Sequence, residues 1–126
     1  MKYIILKIAA VVATIIGLMA VITGSRVLTG NLVQNYHVIT GLVVYNVLMG
    51  VISIGAGMLI WIEKKVAYIL SGVIMGAHIV VLIILQTILN DVVADQSINA
   101  MIFRSVIWSI ITIIVYFGKR NILKAQ

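Results

Sequence analysis

The 126-residue sequence contains no cysteine, no proline and only three acidic residues, Glu63, Asp91 and Asp95. Without cysteine there is no disulfide framework, thiolate zinc site, iron–sulfur cluster or dithiol redox chemistry. Without proline its helices carry no proline kink, so a broken-helix transporter would have to rely on glycine alone. None of the three carboxylates falls inside a long apolar stretch, which argues against transport driven by protonation of a buried acid. Nucleophilic triads, phosphate-cradling glycine loops and clusters with metal-ligand spacing are missing as well, so the chain is expected not to be an enzyme.

What is present is hydrocarbon. Hydrophobic residues make up 63% of the chain and charged residues 10%, far from the balance of a soluble domain. Four apolar stretches, Tyr3 to Gly24, Val38 to Ile62, Val66 to Leu89 and Ile98 to Phe117, each approach the ~20 residues that an α-helix needs to cross a bilayer. The reading is an all-α integral membrane protein, an antiparallel four-transmembrane-helix bundle forming a single domain over residues 1–126. Glu63-Lys64-Lys65 is short enough to fold spans two and three into a hairpin, while Ser25 to His37 and Asn90 to Ser97 form the other two connections. Lys2, the apolar run and Thr23-Gly24-Ser25 also fit a signal peptide; the segment is read here as a retained first span.

A net charge of +6 does not imply a nucleic-acid partner, because the bases sit in small clusters at span ends and form no surface that tracks phosphates. They set orientation. Lys2, Lys7, Lys64, Lys65, Lys119, Arg120 and Lys124 fall on one side and Arg26 and Arg104 on the other, which places both termini in the cytoplasm, in a cell inner or plasma membrane. Tyr3, Trp61, Tyr68 and Tyr116 on the inner side and Tyr36 on the outer suit interfacial aromatic belts.

Membrane helices associate through small residues and interhelical hydrogen bonds, so each span is expected to carry one narrow seam. The candidates are Ala10, Ala13, Gly17, Ala20 and Gly24 in the first span, and Asn46, Gly50, Ser53 and Gly57 in the second. Ser71, Met75, His78, Leu82 and Gln86 mark the third, beside a Gly72-x-x-x-Gly76 pair, and Ser105, Ser109, Thr112 and Tyr116 the fourth. Their spacing near 3.5 residues is that of left-handed bundle packing.

His78 is the histidine at mid-span, and three readings of it stand. It is a neutral histidine hydrogen-bonded across the bundle, with Ser53 as the expected partner and Thr14, Ser105 and Ser109 in the same layer. Alternatively it is an axial ligand to a b-type haem, the metal being bound through His78, with Met49 or a second copy of His78 opposite and Gly50 clearing room for the porphyrin. The third reading is a quinone or other polar-headed lipid, or a conduction path. The candidate cofactor residues are thus His78, Met49, Gly50 and Ser53. Polar residues also gather in Tyr36-His37 and Tyr45-Asn46. At the outer end Arg26, His37, Asp91, Asp95 and Arg104 form a candidate rim for docking a partner. The expected partners are lipid and other membrane subunits or copies of the chain itself.

The expectation for function is a non-catalytic membrane subunit that anchors or scaffolds a larger complex, with a haem or quinone near His78. The alternative is a small homo-oligomeric channel or carrier for a neutral or anionic solute. The orientation is open to direct test. An Asn31→Cys variant is expected to react with an impermeant maleimide from outside intact cells and Lys124→Cys only after permeabilisation. Labelling of Lys124→Cys from outside would reverse the assignment.

Overall fold

The computed structural model describes the backbone of residues 2–30, 39–89, 91 and 95–125, and the side chains within 4–30, 39–89, 91 and 95–118. The described residues fold into four helices: α1 (Lys2–Leu28), α2 (Thr40–Trp61), α3 (Val66–Thr87) and α4 (Asp95–Ala125). All four are long and apolar enough to cross a membrane, the qualifying stretches being Ile4–Leu28, Thr40–Trp61, Val66–Thr87 and Asp95–Gly118.

The helix ends differ from the sequence expectation for local reasons. α1 runs four residues past Gly24 because Ser25 to Leu28 contains no breaker. It ends at Gly30, whose φ of +81° is glycine territory, while the Thr29 hydroxyl donates to the Ser25 carbonyl over 2.9 Å. α4 opens on Asp95, an acid in the first turn where the helix dipole favours it, and continues to Ala125 through a stretch with no proline. Between α2 and α3 the chain reverses within a few residues. The Glu63 N–H donates to the Ile60 carbonyl and the Lys64 N–H to the Leu59 carbonyl, both over 3.0 Å, the paired bonds of a Schellman ending. The position that usually holds glycine there is Glu63, at φ 58°, a left-handed conformation that costs a side-chain-bearing residue about 1–2 kcal/mol.

The helices pack in a ring, α1 on α2, α2 on α3, α3 on α4 and α4 on α1, with α1–α2 the most extensive contact and α3–α4 the next. The α1–α2 contact is close because both backbones are bare where they meet. A Cβ built on Gly17 would lie 2.6 Å from the Gly50 carbonyl oxygen, and one on Gly50 would lie 2.8 Å from the Gly17 carbonyl oxygen. Further along, Gly57 faces the Ala10 carbonyl and Gly24 faces Val47. Contacts thus descend α2 as they ascend α1. The series ends at Lys7, whose ammonium donates to the Trp61 carbonyl and sits 4.4 Å from the centre of the Trp61 ring. A cation at that place satisfies the C-terminal carbonyl end of α2 and adds a cation–π contact.

Every member of the expected α1 seam is buried: Ala10, Ala13, Gly17, Ala20 and Gly24. In α2 Gly50, Ser53 and Gly57 are buried and Asn46 is half-buried. The other two seams need correction. In α3 the buried line is Ala67, Ser71, Ile74, His78 and Leu85, with Met75 and Leu82 half-buried and Gln86 exposed. Gly72 and Gly76 meet nothing: a Cβ on either would find open space. In α4 the buried line is Met101, Ser105, Trp108, Ile111, Val115 and Gly118, and Tyr116 is 45% exposed. Large apolar residues hold the α4 seam because α3 offers no bare backbone to approach, so volume must fill the space. Tyr116 instead turns to the Tyr68 ring, centroids 5.5 Å apart. Together with Trp61, 48% exposed, the two tyrosines lie toward the end of the fold where α2 turns into α3.

Gly17 and Gly76 therefore separate two kinds of glycine. Gly17→Leu is expected to destabilise the purified protein in detergent by about 1–3 kcal/mol or more, as overpacking does, while Gly76→Leu and Leu18→Ala leave the melting temperature near that of the wild type. Equal losses at Gly17 and Gly76 would show that the α1–α2 approach is not the critical contact.

Candidate functional site

Polar side chains within the bundle satisfy themselves in two ways. Some bond back to their own helix: the Thr14 hydroxyl donates to the Ala10 carbonyl (2.8 Å), Ser109 to the Ser105 carbonyl (2.8 Å) and Thr112 to the Trp108 carbonyl (2.7 Å). Local bonding of this kind removes a hydroxyl from interhelical work. Thr14 and Ser109 therefore make no hydrogen bond to His78, although the sequence placed them in its layer. The buried Ser105 and Ser71 hydroxyls and the buried Trp108 indole N–H have no hydrogen-bond partner among the described residues.

Tyr45–His78 and Arg104–Asn46 join side chains on different helices. Tyr45 on α2 and His78 on α3 share a hydrogen bond of 3.0 Å between the phenol oxygen and Nδ1, its direction following the imidazole tautomer. Their rings meet edge to face, 5.8 Å between centroids at 82°. His78 is 2% exposed, so the mid-span histidine points inward as expected, but its partner is Tyr45 and not Ser53. A phenol carries its hydroxyl much farther from the backbone than a serine does, and reaches the imidazole from two turns along α2. Sequence depth-matching, which compares backbone levels, does not see that reach. The second pair joins α4 to α2: Arg104 donates through Nη1 to Asn46 Oδ1 over 3.1 Å.

The four candidate cofactor residues do come together. His78, Met49, Gly50 and Ser53 line one small space, joined by Ile16, Ala20, Asn46 and Arg104. Its volume is about 10 Å³, enough for about one water and far below the ~300–1,000 Å³ of small-molecule sites. A porphyrin or a quinone ring does not fit there. A side chain 2% exposed does not reach a second copy of His78 across a dimer to share an iron. As arranged, the residues around His78 leave no room for a porphyrin between them.

Above this space lies a larger one. A vestibule of about 100 Å³ is walled by α1, α2 and the first turns of α4, through Thr23, Gly24, Val27, Ile39, Leu42, Asn46, Gln96, Ser97 and Arg104 among others. Ala20, Asn46 and Arg104 line both spaces, so the Arg104–Asn46 pair stands between the vestibule and His78. Beyond His78 toward the hairpin the described residues fill the interior with an apolar core that includes Leu6, Ile60, Ile74, Trp108, Ile111 and Val115.

Arg26, Asp91 and Asp95 are exposed, His37 lies outside the described residues, and Arg104 is half-buried and turned inward to Asn46. Sequence reasoning missed Tyr45 and Asn46 as the partners of His78 and Arg104; their adjacency inside a span, next to Met49-Gly50, was the available signal. No protein-family model matches the chain, and neither a curated protein nor a solved structure matches it.

The Tyr45–His78 pair can be measured. Tyr45→Phe removes one hydrogen bond and is expected to lower stability by about 0.5–1.5 kcal/mol. His78→Ala also opens a cavity and should cost more. In a double-mutant cycle the coupling between the two positions should be at least about 0.5 kcal/mol, and strictly additive losses would show that the pair does not interact.

Proposed function

We propose that the chain is an integral membrane subunit of four antiparallel spans, with both termini cytoplasmic, that anchors or scaffolds a larger membrane complex without catalysing a reaction. The observation that carries this reading is the division of its side chains. Tyr45 with His78 and Arg104 with Asn46 are paired inside the bundle, and each helix leaves a long apolar face uncovered: Ile8, Ile15 and Met19 on α1, Val44 and Leu48 on α2, Ile69 and Val73 on α3, Phe103 and Ile110 on α4. Such faces suit lipid and the helices of partner subunits. A second reading, a carrier for a neutral or anionic solute, draws support from the vestibule. Against it stands the apolar core between His78 and the hairpin, because conduction needs a wet route to both ends.

Photo-crosslinking separates the two. A photoreactive residue at Met19 or Phe103 is expected to give a stoichiometric adduct with one and the same membrane partner, and at buried Ala13 only contacts within the chain. Adducts with lipid alone would overturn the scaffold reading, and solute flux into liposomes containing only this chain would establish the carrier.

A further inference from the structure

We propose that the vestibule is a binding site for a small oxyanion, a phosphate or carboxylate group, received on Arg104 and Asn46 at its floor and on Thr23, Gln96 and Ser97 nearer its mouth. This stands apart from the scaffold reading, since it concerns the chain alone.

The lining is the first argument. Among the described residues its polar members are one guanidinium, two amides and two hydroxyls, with no carboxylate. Every one of these groups donates hydrogen bonds, and its one formal charge is positive. Asp91 and Asp95 are exposed and lie outside the lining.

Depth is the second. Arg104 sits nine residues into α4, about 13 Å along its axis from Asp95. A cation at that level of a membrane-spanning helix is expensive and is characteristically kept for a ligand or an ion path. Arg104 lines the vestibule, so an anion that enters it meets this cation.

Geometry is the third. Asn46 presents its oxygen to Nη1 of Arg104, which holds one edge of the guanidinium. A held, planar guanidinium binds phosphate and carboxylate oxygens in pairs, and holding it beforehand reduces the ordering needed when the anion arrives. The start of α4, which supplies Gln96 and Ser97, adds the positive end of a long helix dipole at the mouth.

Size limits the ligand. About 100 Å³ admits several waters or one phosphate or carboxylate group, but is short of what a drug-sized molecule occupies. The anion is therefore either a free small solute or the headgroup of an anionic lipid whose chains stay outside.

The test uses the full chain in nanodiscs of zwitterionic lipid, with thermal unfolding as the readout, since a ligand that binds only the folded state raises the melting temperature with concentration. Inorganic phosphate or acetate is titrated at constant ionic strength against chloride, and a parallel sample contains phosphatidylglycerol. A saturable rise of at least 2–3 °C is expected with one of these probes and not with chloride. A response to the soluble salts assigns a free anion, and a response to phosphatidylglycerol alone assigns a headgroup. Arg104→Gln should abolish the rise and Arg26→Gln, at an exposed position, should keep it. Should Arg104→Gln fail to fold, Asn46→Asp provides the second variant: it places a carboxylate against Arg104 and should leave a folded protein blind to the anion. No rise with any probe, an equal rise with chloride, or a rise that survives in Asn46→Asp overturns the proposal.

Discussion

The close approach of α1 and α2 at Gly17 and Gly50 is the contact on which the rest of the arrangement depends. Each backbone there occupies the place where the other would carry a side chain. Once that face of α2 is committed to α1, the adjoining faces are left to meet α3 and α4, and they carry Asn46, Met49 and Ser53. Gly50 then has two roles. It lets α1 in, and it lines the small space that His78 faces. A methyl group at Gly50 would push α1 outward and open the floor of the vestibule, since Ala20 belongs to both walls.

A second constraint is the absence of water in a hydrocarbon environment, where every polar side chain must find a partner or bear the loss. Thr14, Ser109 and Thr112 resolve this within their own helix, while the buried Ser71 and Ser105 hydroxyls find no partner among the described residues. Arginine, asparagine, tyrosine and histidine are too large for that and reach across. The consequence is a gradient along the bundle. The half nearer the α2–α3 hairpin is a packed apolar core around Trp108 and Ile74, while the other half contains the vestibule, Arg104, Asn46, Tyr45 and His78.

The individual elements show how far sequence carried. Four helices, the hairpin at Glu63 and the buried seam of α1 follow from local pattern, because apolar run length and a 3–4 spacing of small residues are properties of a single helix. The seam of α4 did not follow. Ser105, Ser109 and Thr112 repeat with the right period, but two of them bond to their own backbone, and Trp108 and Val115 fill the interface instead. The Gly72–Gly76 pair has the spacing of a packing motif and faces open space, since a motif states only that a close approach is possible and says nothing about which helix comes near.

His78 shows the same boundary at the level of the site. Its mid-span position and inward direction, and its company of Met49, Gly50 and Ser53, were decided by sequence through helical period and depth. Its partner Tyr45, the turn of Arg104 toward Asn46, and the small size of the space beside it were decided only by tertiary structure. The physical reason is that periodicity fixes the direction in which a side chain leaves its own helix. The length of that side chain, the tilt of the neighbouring helix and the volume remaining between them are joint properties of all four helices.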